Sequence, residues 1–181
     1  MGSSSASRTD IAAQVAAVLR AGRFDRVLGS VHTLPDRGGY AEPPGLFTHR
    51  DPGEVVRSYL AEVAALVTGS EVFAVLAHVD YPVRSWPAAA GAFVPEKFEE
   101  QFRHTLRMTA QSGRVLEVNT VVPFHATMLR WWRAEGGDAV TFGSDAHDPA
   151  TVARGLRDAA HMAEAHGFRP GEHPYDVWGR A

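Results

Sequence analysis

Residues 139–149 read AVTFGSDAHDP. The β-branched and aromatic opening, Val140, Thr141 and Phe142, predicts a short strand. Gly143 breaks the run, and Ser144, Asp145, Ala146 and His147 follow at the strand's carboxyl end. Asp148 and Pro149 then read as a helix entrance, an acidic N-cap before a proline at the first helical position. Residues two apart in extended backbone share a face, so Asp145 and His147 are expected to point the same way. A carboxylate and an imidazole converging where a strand hands over to a helix suit a metal ion or an acid–base centre. The same residues would also serve as a turn cap and a backbone-satisfied histidine. This stretch alone leaves both readings open.

The chain before it repeats the alternation. A leader is expected over 1–9, then an amphipathic helix over 10–21 with Ile11, Val15, Val18 and Leu19 on one stripe, stopped by Gly22. Residues 24–31 (FDRVLGSV) predict a strand with His32 at its carboxyl end, and 33–50 a long mouth-side loop. Asp51-Pro52-Gly53-Glu54 has the spacing of a capping box, opening a helix with Val55, Val56, Tyr59, Leu60, Val63 and Val67 inward. The unbroken apolar run 71–79 (EVFAVLAHV) reads as a parallel strand covered on both faces, ending at His78-Val79-Asp80. A second loop over 81–95 carries Arg84 and Trp86.

A third helix is expected over 95–112, with Phe98, Phe102 and Leu106 inward. Strand 114–120 follows, with Glu117 and Asn119 on one face. A carboxylate within so apolar a strand is costly to bury unless it is paired. A fourth helix spans 126–135, its Trp131-Trp132 pair read as core packing with one ring partly exposed. The last helix, over 149–166, turns Val152, Leu156, Ala159, Met162 and Ala163 inward, and Trp178 in the Pro/Gly-rich tail tucks against the body. The fold class is therefore α/β, about four parallel strands with flanking helices, in one domain.

Composition narrows the chemistry. A net charge of −3 with scattered basic residues gives no nucleic-acid stripe, and no apolar run approaches a membrane span. With no cysteine in the chain, thiolate metal sites are excluded, and a metal would be held by His, Asp and Glu. Such ligands suit Zn²⁺, Mn²⁺ or Fe²⁺. In parallel α/β layouts ligands bind at the carboxyl ends of the strands, where this chain places His32, His78, Glu117, Asn119, Asp145 and His147. Phosphate-binding Gly-rich loops, GxSxG and HExxH are absent, which favours metal-assisted hydrolysis over serine chemistry. The leader lacks the apolar core of a signal peptide, so a cytoplasmic location is expected.

The series GSVH (29–32), LAHVD (76–80), LEVNT (116–120) and FGSDAHDP (142–149) resembles the PHP family of metal-dependent phosphoesterases, most closely histidinol phosphatase. The resemblance implies a distorted, TIM-like (βα)7 barrel with up to three divalent ions at its mouth, and hydrolysis of a phosphate monoester in histidine biosynthesis. It makes His32 and His78 ligands of one metal, Asp145 a ligand of a second and His147 of the third. Asp145 and His147 would be catalytic, with Glu117 and Asn119 supporting the ligands from behind.

The family's opening HxH strand has no counterpart here. Residues 10–181 are thus expected to be the C-terminal part of a PHP-like domain: a fragment, a mis-started reading frame or a degenerate relative. The arginine the family places soon after the Asn-Thr pair is also missing, the first being Arg130. Four strands would leave strand 24–31 as an open edge available for self-association. Three functions follow as expectations: a phosphomonoesterase acting on a small phosphate ester, a non-catalytic half-barrel, and, against the missing basic groove, a phosphodiesterase on nucleic acid. His49 and Arg84 are candidates for substrate phosphate, with solvated loop residues the default; His125 reads as a surface turn residue.

Overall fold

The computed structural model describes residues 8–181. Residues 1–7, most of the expected leader, lie outside the described residues, as do the side chains of 8–12 and with them Ile11. Helix α1 (Arg8–Ala21) takes in the leader's last two positions. None of its described side chains is buried and Val18 is exposed, so the expected stripe covers no core.

Eight short strands follow: β1 (Leu28–Gly29), β2 (Leu34–Asp36), β3 (Gly39–Ala41), β4 (Val75–Leu76), β5 (Val115–Asn119), β6 (Ala139–Gly143), β7 (Phe168–Arg169) and β8 (Trp178–Arg180). The main sheet has six strands in the order β1-β4-β5-β6-β8-β7. Its first four are parallel, and the tail adds β8 and β7 antiparallel beyond β6. The four expected parallel strands are present, and the antiparallel pair from the tail is an addition to them. Buried Phe168 anchors β7, and Trp178 in β8 meets Phe142 edge-to-face at 5.0 Å. The expected placement of Trp178 holds.

The strands expected over 24–31 and 71–79 shrink to two-residue ladders, Leu28 opposite Val75 and Gly29 opposite Leu76. Phe73, Ala77 and Val79 are buried outside that ladder. An unbroken apolar run reports burial, and strand length is a separate matter. The loop expected over 33–50 instead contains the β2–β3 hairpin and helix α2 (Pro43–Leu46). Arg37 and Gly38 turn the hairpin with positive φ at both positions, and buried Leu34 and Leu46 pin it to the core.

Helix α3 (Pro52–Gly69) starts as expected: the Asp51 carboxylate accepts the Glu54 N–H at 3.0 Å, and Val55, Val56, Tyr59, Leu60, Val63 and Val67 are buried. The third helix divides into a 3₁₀ turn (Pro95–Phe98) and α4 (Glu99–Gln111). On α5 (Ala126–Ala134) both tryptophans are buried, contrary to the expectation that one ring is partly exposed. Trp131 stacks on Phe102 of α4, while Trp132 donates to the Ala139 carbonyl at 3.1 Å, so the two rings bury against different neighbours.

The last helix begins late. Asp148 does cap, accepting from the Ala150 N–H at 2.8 Å, but Pro149–Thr151 makes only a 3₁₀ turn before left-handed Ala153 and Gly155. Helix α6 (Leu156–Ala165) buries Ala159 and Ala163, and Val152, expected inward, is exposed.

Candidate functional site

Because β1, β4, β5 and β6 run parallel, their carboxyl ends open on one rim. His32 lies three residues past β1, His78 two past β4, Asp145 and His147 two and four past β6, and Glu117 and Asn119 within β5. The His32 and His78 rings are 5.3 Å apart between centroids. His78 Nε2 lies 3.9 Å from Asp145 Oδ2, and Asp145 Oδ1 lies 3.7 Å from His147 Nε2. All six residues singled out in the sequence gather here. His147 joins the group only through Asp145, its side chain being 90% exposed.

The route to the Asp145–His147 contact differs from expectation. Asp145 has a φ of 46°, so the backbone past Gly143 is a left-handed turn, and the extended-strand argument for a shared face fails. Gly143 also does more than break the strand. A Cβ there would lie 2.1 Å from Glu117 Oε1, so the missing side chain makes room for the buried carboxylate.

Glu117 is 4% exposed, and its Oε2 accepts from the His78 N–H at 3.2 Å and Asn119 Nδ2 at 3.2 Å and lies 3.0 Å from His78 Nδ1. Asn119 Nδ2 also lies 3.2 Å from His78 Nδ1, so the amide bridges the carboxylate and the imidazole. His78 Nε2 faces Asp145. The cost anticipated for a carboxylate in an apolar strand is met by these partners.

A 3₁₀ turn, Tyr81–Ser85, carries Arg84 into the same rim. Its guanidinium donates to Asp145 Oδ2 at 2.5 Å, and Nη2 lies 3.1 Å from His78 Nδ1. It rests over the Tyr81 ring at 4.9 Å, and Tyr81 meets His32 edge-on at 4.7 Å. Behind the turn, Trp86 packs on Phe47, Phe93 and Phe98, and its Nε1 donates to the Gly91 carbonyl at 2.9 Å. The default reading of Arg84 as solvated is thus overturned. The available signal was that Arg84 is the sole charged residue between Asp80 and Glu96.

The field follows from these contacts. Loss of hydration pushes the Asp145 carboxyl up, but the Arg84 hydrogen bond and the nearby His78 and His147 outweigh it, so its pKa is lowered. Loss of hydration, then His78 and Arg84, depress His32. Buried Asp80, behind His78, is pushed up to about 6 by burial. Burial also drives the Tyr59 phenol well above its ordinary value, keeping it a neutral donor.

Among the described residues no group of three or more His, Asp or Glu side chains is close enough to form a cation cage. The donor chemistry nonetheless fits a divalent ion. His78 turns Nδ1 to the Glu117 carboxylate and Nε2 to Asp145, and a carboxylate behind the ring is the partner that metal-ligating histidines share. His32 and His147 add imidazole nitrogens beside it.

The remaining candidates go elsewhere. His49 pairs with Asp36 at 3.1 Å, and His125 caps α5 by accepting the Thr127 N–H at 3.4 Å. A cleft of about 540 Å³ at the opposite end of β4 and β5 is bordered by Phe73, Met108 and Arg114. There Arg114 donates to the carbonyls of Phe73 and Val67, at 3.1 and 3.0 Å, and of Ser70.

A sheet whose parallel strand ends carry this cluster is the architecture of partial α/β barrels with the site at the mouth. The chain superimposes with a TM-score of 0.70 on a crystal structure of histidinol phosphate phosphatase from Lactococcus lactis, complexed with zinc, L-histidinol and phosphate. That match has 21% identity and covers 87% of this chain and 62% of the other, which establishes the fold. Two curated relatives are named probable histidinol-phosphatase. The one from Clostridium acetobutylicum is 26% identical over 154 residues, 81% of this chain and 60% of its own length. The one from Thermotoga maritima is 30% identical over 124 residues, 65% of this chain and 51% of its own length. The chain thus spans between half and three-fifths of the curated relatives it matches. No family model matches it.

Proposed function

We propose that the chain is the C-terminal part of a PHP-like, metal-dependent phosphomonoesterase, with histidinol phosphate the leading substrate. The observation that carries this is the meeting of His32, His78, Asp145, His147 and Arg84 on one rim, from three separate stretches of chain. The names of the relatives, and the zinc, histidinol and phosphate bound by the structural neighbour, support the same reading. A cytoplasmic biosynthetic role belongs to it; no described helix is long and apolar enough to cross a membrane.

In this reading His32, His78, Asp145 and His147 hold divalent ions, zinc foremost. Such an ion supplies Lewis acidity toward a phosphoryl oxygen. Glu117 and Asn119 hold the His78 ring so that Nε2 faces inward. Arg84 offers a guanidinium to the phosphate, a planar donor fork matched to its oxygens. Asp145 and His147 are the catalytic pair.

The test is zinc-supplemented hydrolysis of histidinol phosphate by the full chain and by Asp145→Ala. Turnover by the parent, lost by about a thousandfold or more in the variant, is expected, since Asp145 lies within 4 Å of Arg84, His78 and His147. Equal turnover by both would end the proposal.

A second reading is a non-catalytic half-barrel, favoured by the place of β1, three residues before His32, at the sheet's edge. It expects no zinc uptake and no turnover by the parent chain.

A further inference from the structure

The geometry points to Tyr59 as a positioning residue of the rim: its buried hydroxyl ties together the carboxyl ends of β1 and β4 and thereby orients His32, His78 and the turn that carries Arg84. This rests on the reading of those residues as a functional site, and it adds a role for a residue on α3, outside the strand-end motifs.

Tyr59 projects from the core face of α3 with 0% exposure. Its hydroxyl donates to the His78 carbonyl at 2.5 Å and lies 3.2 Å from the Val31 carbonyl. The one proton makes the shorter contact the principal bond and the other a weaker shared one. Val31 is the residue before His32, so a single phenol grips the backbone on which both rim imidazoles are mounted.

His78 is where such a grip is needed. Its φ of 59° is left-handed, a conformation a non-glycine side chain rarely adopts and that surrounding structure must hold in place. Its carbonyl also accepts the Tyr81 N–H at 2.9 Å, the bond that opens the turn Tyr81–Ser85. Tyr59 and Tyr81 therefore converge on one oxygen. Losing the phenol leaves that oxygen with a single donor in a buried setting and frees His78 to relax toward negative φ. The Nε2 face of the ring would then turn from Asp145, and Arg84 would move with the turn.

The test uses Tyr59→Phe, which keeps the ring and its packing, beside Thr105→Val, which removes a hydroxyl equally buried between α3 and α4 that donates to the carbonyl of Leu60, the residue next to Tyr59, at 3.1 Å and not to the backbone of the rim. Amide hydrogen exchange is followed for residues 78–85, and zinc chloride is titrated into each protein. For Tyr59→Phe, exchange at the Tyr81 amide is expected to speed about tenfold and the zinc Kd to rise about tenfold, as when an outer partner of a metal ligand is lost. Thr105→Val should change neither, whatever each variant does to the melting temperature. Unaltered exchange at Tyr81 in Tyr59→Phe, or an equal change in Thr105→Val, overturns the role of Tyr59. Zinc binding as tight as the parent's overturns it too. If the parent takes up no zinc, the proposed metal function fails, and the exchange comparison still decides Tyr59.

Discussion

Adding one methyl group at Gly143 should disable the rim from behind. A Cβ at this position would stand 2.1 Å from Glu117 Oε1 and 3.0 Å from its carboxyl carbon. Gly143 has no positive φ, so alanine meets no backbone penalty and the whole effect comes from contact. Glu117 is 4% exposed and cannot swing into water without leaving the His78 N–H, His78 Nδ1 and Asn119. Overpacking typically costs ~1–3 kcal/mol, and a weakened hydrogen bond to a buried charge about 1.5–3 kcal/mol. Gly143→Ala is therefore expected to lose about 3–5 kcal/mol, a fall in Tm of roughly 6–20 °C for a domain this size. Gly69→Ala is the control: it closes α3 with open space around its Cβ, and alanine there should stabilise by ~0.5 kcal/mol or leave Tm unchanged. Scanning calorimetry or urea melts read both. A Gly143→Ala protein that melts within ~2 °C of the parent and binds zinc equally well would refute the picture of Glu117 as a fixed strut.

Other outcomes are open to direct measurement. Burial raises the Glu135 carboxyl, but hydrogen bonds from Arg107 and Arg103 outweigh it and its folded pKa is lowered. Its contribution to stability is thus fully present above the unfolded carboxylate value and fades as pH falls through the lower folded value. In acid titrations of stability, Glu135→Gln should flatten the limb below about pH 4.5, and an unchanged limb would show that the pair contributes nothing. Arg114→Lys should cost ~2–4 kcal/mol by urea melts, because an ammonium cannot reach the carbonyls of Phe73, Val67 and Ser70 together or lie flat on the Phe73 ring at 4.2 Å. A loss below ~0.5 kcal/mol would show that charge alone suffices there.

The sequence disclosed the rim better than the scaffold beneath it. Six side chains were legible because polar groups at the end of each apolar segment have few structural reasons to recur, and parallel strands bring such ends together. Arg84 was harder to see, since its partner Asp145 lies 61 residues away and nothing local couples them. Tyr59 reads as one more apolar position of a helical stripe, and only coordinates reveal where its hydroxyl lands. The tail strands were hidden because two- and three-residue strands among prolines and glycines carry no periodicity. Strand ends were overestimated at 71–79 because burial produced the apolar run there, and at 149–156 the helix signal of Asp148-Pro149 was true for one turn only. Left-handed Ala153 has no sequence signature.

The aromatic nest around Trp86 gives the protein an optical probe of its own rim. The indole sits two residues past Arg84, in a pocket made by Phe47, Phe93 and Phe98, whereas Trp131 and Trp132 are sealed in the core. Any anion that draws Arg84 off Asp145 should shift the emission or quenching of this indole and leave the two core rings dark to the event. With Trp178, the fourth indole, replaced by phenylalanine and Trp131 and Trp132 as an internal reference, ligand engagement becomes readable from fluorescence in unlabelled protein, before any product has formed.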